Sequence, residues 1–214
     1  MTEETTPSTN PNPPPILRKD IKCVVIGDNN IGKTTLLIRY TTDILCPPTE
    51  LPSVFDNYSI QIGSNVISLF DTNNPEEARQ RLLPLIYSNT DILIICFSVA
   101  RLSSFENVKG QWLHGLESWC PGTPWILVGL QSDLRDEPGL GMLEQGYGVK
   151  YPLSRGFVSK EEGREAARRW GASGYVECSS VMGVGVRGVF EEAVLASQRS
   201  VPMKMKKRGY CVVA

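Results

Sequence analysis

Apolar residues along the chain form short, nearly continuous runs that alternate with segments of helical periodicity. Such runs are typical of strands buried on both faces, and strands separated by helices predict a mostly parallel sheet covered on both sides. The predicted strands are Cys23–Gly27, Val54–Ile62, Val66–Asp71, Asp91–Val99, Trp125–Leu130 and Tyr175–Ser179. The predicted helices are Lys33–Thr42, Glu76–Ile86, Ser103–Glu117, Ser159–Trp170 and Val186–Ser197. A turn at Gly63-Ser64-Asn65 joins two of the strands as a hairpin and adds one antiparallel strand.

Three segments fall outside this alternation. Residues 1–20 are rich in Thr, Pro, Asn and Glu, which predicts a disordered tail. Gly139 to Gly156 is rich in glycine and shows little periodicity, so we predict an irregular insertion over about residues 137–156. The prediction is therefore one domain over residues 21–200, followed by a tail over residues 201–214.

Composition limits the function further. The chain has 214 residues, of which 41% are hydrophobic, and its net charge is −1. This is enough apolar material for a sizeable core, and the overall charge gives no electrostatic reason to expect nucleic-acid binding. The six cysteines lie far apart without metal-ligand spacing, which predicts reduced thiols. We expect neither a secretory signal nor a membrane span, because no apolar run is long enough.

The stretch Gly27-Asp28-Asn29-Asn30-Ile31-Gly32-Lys33-Thr34 lies between a predicted strand and a predicted helix. It fits G-x-x-x-x-G-K-[ST], in which backbone N–H groups of a tight loop and a helix N-terminus surround nucleotide phosphates. In this pattern Lys33 neutralises the β- and γ-phosphates, and the Thr34 hydroxyl ligates Mg²⁺. Four of the eight motif positions are free, so a purely structural glycine turn is the alternative. The predicted nucleotide-binding residues of this stretch are Gly27, Asn30, Ile31, Gly32, Lys33, Thr34 and Thr35.

Further polar residues follow later strands. Asp71 ends the second strand after the loop, and in a phosphate-loop protein an acidic residue at that place holds Mg²⁺ through water. Asp133 follows Trp125–Leu130, and Ser179 and Ser180 follow the last strand. Open α/β sheets bind ligands at the carboxyl ends of their strands, so these residues extend the candidate site.

Several long runs make the chain similar to the Rho branch of the small GTP-binding proteins, within the Ras superfamily. The carriers are Ile21–Asp28, Ser53–Tyr58, Cys96–Val99 with Ser103–Val108, Asp133–Asp136 and Tyr175–Ser179. The resemblance covers roughly Ile21 to Ala196 and the C-terminus. It implies a P-loop G domain with a six-stranded sheet, and it places the insertion where Rho proteins carry an insert helix.

The resemblance also implies ligands and roles, with GTP or GDP and Mg²⁺ as cofactors. The Asp133 carboxylate would accept the guanine N1–H and N2–H₂, and Ser179 and Ser180 would lie beside the base. Ser53 stands at the position of the switch-one threonine that ligates Mg²⁺ and touches the γ-phosphate. Gln131 and Leu45 complete the predicted nucleotide-binding set.

Residues that differ from the family pattern lie mainly at the positions involved in GTP hydrolysis. The family's Asp-Thr-Ala-Gly-Gln is Asp71-Thr72-Asn73-Asn74-Pro75 here, so Pro75 replaces the glutamine that orients the attacking water. Asn74 replaces a glycine whose N–H meets the γ-phosphate. Asn29 replaces the glycine near which an activating arginine would enter. No catalytic residue is intact by this comparison, and we predict an atypical member with weak or absent GTP hydrolysis.

Other departures concern the base. Leu45 replaces a phenylalanine that lies against guanine, and Leu130 replaces a Thr or Asn that braces the loop. Both changes predict faster nucleotide exchange with binding retained. The loop Cys46-Pro47-Pro48-Thr49-Glu50 is one residue longer than in the family and lacks the switch-one tyrosine.

The C-terminal segment contains Lys204, Lys206, Lys207 and Arg208 upstream of Cys211-Val212-Val213-Ala214. This is a C-a-a-X box with a polybasic second signal, which predicts prenylation of Cys211 and anchoring to a membrane. The expected location is the cytoplasmic face of the plasma membrane or of endomembranes, with a cytosolic pool.

The sequence thus predicts a monomeric, lipid-anchored signalling protein that acts through effector proteins on the actin cytoskeleton or cell polarity. Exchange factors and a dissociation inhibitor are the other expected partners, and nucleic acid is not one. Two alternatives stay open. One is a nucleotide-free scaffold that keeps the fold for protein contacts, and the other is an ordinary cycling GTPase with an unidentified substitute for the missing glutamine.

Overall fold

The computed structural model describes residues 20–45, 57–71, 86–136 and 156–199. Several predicted features lie outside the described residues: most of Glu76–Ile86, the Cys46–Glu50 loop, Ser53, residues 72–75, nearly all of the insertion, residues 1–19 and the C-terminal tail with Cys211. No helix among the described residues is both long and apolar enough to cross a lipid bilayer.

The described strands form one sheet. Its strands are β1 (Asp20–Gly27), β2 (Asn57–Ile62), β3 (Asn65–Asp71), β4 (Ile92–Ser98), β5 (Trp125–Leu130) and β6 (Tyr175–Glu177). Their order across the sheet is β2-β3-β1-β4-β5-β6. The pair β2–β3 is antiparallel, and the other described pairs are parallel. The predicted six-stranded sheet and its hairpin are therefore confirmed.

Helices cover both faces of the sheet. They are α1 (Lys33–Thr42), α2 (Leu102–Asn107), a π-helix (Val108–Trp112), α3 (Leu113–Trp119), α4 (Asp133–Asp136), α5 (Lys160–Trp170) and α6 (Val186–Arg199). The prediction of one continuous helix over Ser103–Glu117 is wrong in its middle, where a π-helix intervenes. A π segment widens the helix by one residue and is frequent at functional sites. The predicted last strand also ends earlier, at Glu177.

The core lies in two layers, one on each side of the sheet. On β1, Cys23 and Val25 face the layer that contains Leu36 of α1 and Phe190 of α6. Val24 and Ile26 face the other layer, which is built from the π-helix, α3 and α5. Because side chains alternate between the faces of a strand, burial on both sides requires the unbroken apolar run seen in the sequence.

The four cysteines in the described part of the chain, Cys23, Cys96, Cys120 and Cys178, are free thiols and buried. Burial raises the pKa of the Cys96 thiol to about 12. The thiolate is the reactive form of cysteine, so Cys96 is a packing residue.

Helix α5 begins with a reciprocal cap. The Ser159 hydroxyl accepts from the Glu162 N–H at 3.2 Å, and the Glu162 carboxylate accepts from the Ser159 N–H at 2.7 Å. These two bonds satisfy N–H groups that the first helical turn leaves free. The next residue, Gly163, is buried against Tyr175, where an added Cβ would lie 2.0 Å from the phenol oxygen and 2.2 Å from Cζ.

This contact predicts that Gly163→Ala lowers the free energy of unfolding by about 1–3 kcal/mol, since the packed tyrosine ring must move. Gly188→Ala in α6 is the matched control, because nothing lies within 4 Å of its added Cβ. Alanine is the better helix former, so the control should be neutral or more stable by up to about 1 kcal/mol. Urea unfolding of both variants measures the two changes, and equal behaviour of the pair would contradict the packing account.

Candidate nucleotide-binding site

The predicted phosphate loop runs from the end of β1 to the start of α1, and two glycines shape it. Gly27 has a φ of 144°, and an added Cβ would lie 2.3 Å from the Cys96 carbonyl oxygen. Gly32, with a φ of 98°, takes the left-handed conformation immediately before α1. Both positions favour glycine for conformational reasons, and Gly27 also needs it because β4 approaches so closely.

Lys33 bends back over this loop. Its side chain is buried, at 3% relative exposure. The Nζ donates to the Gly27 carbonyl oxygen at 3.0 Å and to the Asp28 carbonyl oxygen at 2.7 Å. Burying an ammonium group is costly unless it is paired and hydrogen-bonded. Holding it inside a loop whose N–H groups can also face an anion fits a phosphate ligand.

Thr34 and Asp71, the two predicted Mg²⁺ ligands in the described residues, come together. The Thr34 hydroxyl donates to Asp71 Oδ2, and both side chains are buried. Asp71 is held beside the loop because β3 pairs in parallel with β1, opposite Val25. Mg²⁺ is usually held by one or two protein oxygens together with phosphates and water. A hydroxyl and a carboxylate fit it without a larger acidic cluster, and the described residues contain none.

At the other end of the site, Asp133 opens α4, three residues after the end of β5. Its Oδ1 is buried and has no hydrogen-bond partner among the described residues. A buried acceptor of this kind is rare in proteins and fits a donor supplied by a ligand. The Ser132 N–H donates to the Cys178 carbonyl oxygen at 3.2 Å, which holds the loop before α4 against the segment after β6.

The remaining predicted residues of the base end are Ser179, Ser180, Gln131 and Leu45. Ser179 is buried, and its hydroxyl accepts from the Met182 N–H at 3.0 Å within its own loop. Ser180 and Leu45 are half-buried. Gln131 takes a positive φ of 60°, and its side-chain oxygen accepts from the Ser98 hydroxyl. The Gln131 amide oxygen is therefore engaged with β4.

An ion-pair network that the sequence did not predict joins β6 to α4, the helix that begins with Asp133. Arg135 of α4 binds the Glu177 carboxylate through both terminal nitrogens, at 2.8 and 3.0 Å, and Tyr175 donates to the same carboxylate at 2.6 Å. Burial acts to raise the pKa of Glu177, but the bonds from Arg135 and Tyr175 outweigh it and hold the pKa below its usual range. The signal available in the sequence was an acidic residue, Glu177, inside a short predicted strand.

A second cluster joins the phosphate loop to the π-helix. The Asp28 carboxylate accepts from Asn107 Nδ2 at 2.8 Å and from Trp112 Nε1 at 2.9 Å. Arg101 donates from Nη2 to the Asn29 carbonyl oxygen at 2.8 Å. The phosphate-loop motif leaves Asp28 and Asn29 free, so motif reading alone gives them no role.

The site thus gathers a buried lysine, a threonine–aspartate pair and an unpartnered carboxylate oxygen along the carboxyl edge of the sheet. A family model for the Ras family matches residues 22–199, which is most of the chain. Proteins of that family are small GTP-binding proteins. This chain belongs to the Ras family.

Proposed function

We propose that this chain is a Rho-type member of the family that binds guanine nucleotide and Mg²⁺ at a membrane and hydrolyses GTP weakly or not at all. The observation that carries the binding proposal is the placement of Lys33, Thr34, Asp71 and Asp133 at one edge of the sheet. Each of these groups is costly to bury without a ligand or a partner.

At the phosphate end, Lys33 would neutralise the β- and γ-phosphates, and the loop N–H groups would hold their oxygens. Thr34 and Asp71 would hold Mg²⁺, which when bound supplies charge neutralisation to the phosphates. Their present hydrogen bond keeps both oxygens in one place, so little rearrangement is needed to offer them to a cation.

At the base end, Asp133 supports selection of guanine. A carboxylate only accepts hydrogen bonds, and guanine presents N–H donors on its Watson–Crick edge where adenine presents the N1 acceptor. Adenine would leave the buried oxygen of Asp133 without a donor, at a cost of about 1–3 kcal/mol.

We therefore expect labelled GTP to bind in the presence of Mg²⁺ and ATP to bind far more weakly. Asp133→Ala should reduce the preference for guanine by roughly 10–100-fold, the value of hydrogen bonds to a charged group. Titration of both nucleotides with the two proteins measures this, and equal affinity for GTP and ATP would refute it. Chromatography of the nucleotide released from gently purified protein separates the alternatives. Absence of any nucleotide would indicate the scaffold, and GDP would indicate ordinary cycling.

Weak hydrolysis rests on the residues at the family's catalytic positions. By the Rho resemblance, Pro75 and Asn74 replace the groups that orient the water and contact the γ-phosphate, and both lie outside the described residues. Asn29 is exposed at the loop, where its side chain takes space that an activating arginine would need. An activating arginine contributes about 10³–10⁵ in rate, but only when the attacking water is already oriented.

Single-turnover phosphate release should accordingly be slow and should not respond to a Rho-type activating domain. The variant carrying Pro75→Gln, Asn74→Gly and Asn29→Gly restores the missing positioning groups and should recover stimulation by that domain. Asn29→Gly alone is the control, because it opens space without restoring the water-orienting amide. Strong stimulation of the unmodified protein would reject this part of the proposal.

The membrane part of the proposal rests on the C-a-a-X box and the cations before it. One prenyl chain binds a bilayer only marginally, and four cations add about 1 kcal/mol each near an anionic leaflet. From that surface the protein would act through effectors on the actin cytoskeleton or cell polarity. Exchange factors and a dissociation inhibitor would control its nucleotide state and its cytosolic pool.

Cys211→Ser should therefore move the protein from the membrane fraction to the soluble fraction of cells. Cys46→Ser is the matched control, since it removes a thiol outside the C-a-a-X box and should leave fractionation unchanged. Fractionation and blotting of both variants measures this, and an unchanged membrane fraction for Cys211→Ser would show that the prenylation proposal is wrong.

A further inference from the structure

Arg101 lies outside every motif that defines the candidate site, yet it contacts the phosphate loop directly. It follows β4 and comes immediately before α2. Its Nη2 donates to the Asn29 carbonyl oxygen at 2.8 Å and lies 3.8 Å from Asp28 Oδ2. The side chain is 27% exposed, so most of it is packed between the loop and the start of α2.

The side of the loop on which Arg101 lies follows from peptide geometry. The described peptides contain no cis bond, so the Asn29 carbonyl and the Asn30 N–H point in opposite directions. In a phosphate loop the N–H groups face the phosphates. The Asn29 carbonyl therefore faces away from them, and Arg101 binds the outer side of the loop.

The neighbouring Asp28 fixes this arrangement. Its two carboxylate oxygens accept from Trp112 and Asn107, which are held by the π-helix and the end of α2. The negative charge of Asp28 also attracts the Arg101 guanidinium. The backbone of Arg101 is anchored as well, because its N–H donates to the Ser98 carbonyl oxygen at 3.1 Å and its carbonyl accepts from the Ser104 hydroxyl at 2.6 Å.

We propose that Arg101 is a positioning residue for phosphate binding, which holds the Asn29–Asn30 peptide with its N–H toward the phosphates and so slows nucleotide release. This inference rests on the proposed binding of guanine nucleotide. A charged donor on a carbonyl also polarises the peptide and strengthens the N–H on its other side as a donor. The effect is therefore on the phosphates, and the base contacts of Asp133 are independent of it.

The test uses Arg101→Met, which keeps an apolar stem and removes the donors, and Arg101→Lys, which keeps the charge. Arg187→Met is the control, because Arg187 forms an exposed ion pair with Glu191 on α6. Release of fluorescent GDP should be roughly tenfold faster in Arg101→Met, the equivalent of one charge-assisted hydrogen bond. The release rate of Arg101→Lys should lie between those of the unmodified protein and Arg101→Met, since a single ammonium replaces a rigid fork of donors. The control should release GDP at the rate of the unmodified protein.

A second readout separates positioning from a general structural role. Competition with GDP and with GMP gives the affinity ratio of the two nucleotides, which should fall in Arg101→Met because the effect is on phosphate contacts. The preference for GTP over ATP should stay unchanged.

The inference would be overturned if Arg101→Met released GDP at the rate of the unmodified protein, or if it lost affinity for GDP and GMP equally. Either result would leave the proposed function standing. If Arg101→Met does not fold, Arg101→Lys serves as the test. The inference would then be overturned if Arg101→Lys had the same GDP release rate and the same ratio of GDP to GMP affinity as the unmodified protein. Failure of the unmodified protein to bind any guanine nucleotide would overturn both.

Discussion

The burial of β1 on both faces and along both edges is the constraint on which the rest of the structure depends. The strand pairs in parallel with β3 on one side and β4 on the other. Its side chains enter both core layers. A strand held in this way ends at a fixed place, and the chain leaves it at Gly27 so close to the Cys96 carbonyl that no side chain fits. The packing of β1 therefore determines the position of the phosphate loop.

The same pairing determines which polar groups meet at the carboxyl edge of the sheet. Parallel register brings Asp71 from β3 beside α1, where Thr34 donates to it. On the other side, β5 and β6 bring Asp133 next to the segment that contains Cys178 and Ser179. Lys33, Thr34, Asp71 and Ser179 are hydrogen-bonded within the protein at this edge, whereas Asp133 Oδ1 is buried without a partner among the described residues.

Binding and hydrolysis make different demands on the site. Binding needs a buried cation, N–H groups and acceptors held in place, and Lys33, Thr34 and Asp71 are buried and hydrogen-bonded. Hydrolysis also needs a water held in line with the γ-phosphate, and our proposal of weak hydrolysis rests on the resemblance to Rho proteins at the positions that would hold this water. Asp28, Arg101, Asn107 and Trp112 form a hydrogen-bonded network that joins the loop to the π-helix and to α2, and in our proposal Arg101 slows release of the nucleotide.

Local features of the sequence determined much of the fold. The unbroken apolar runs predicted the strands, the glycine turn predicted the hairpin, and the predicted helix Ser159–Trp170 agrees with α5 and its cap residue. The G-x-x-x-x-G-K-T pattern located the phosphate loop, and Asp71 and Asp133 followed from their places at strand ends. These signals are readable because each involves neighbours in the chain, where spacing alone fixes geometry.

Tertiary structure alone decided the rest. The π-helix interrupts a segment whose apolar spacing predicted an ordinary helix, and Trp112 within it reaches Asp28, 84 residues earlier in the chain. Arg101 meets Asn29 across 72 residues, and Arg135 meets Glu177 across 42. Such pairs depend on the order in which strands assemble, and local spacing carries no information about that order. The sequence by itself therefore determined the elements and the chemistry of the motifs, while packing decided which distant side chains hold those motifs in place.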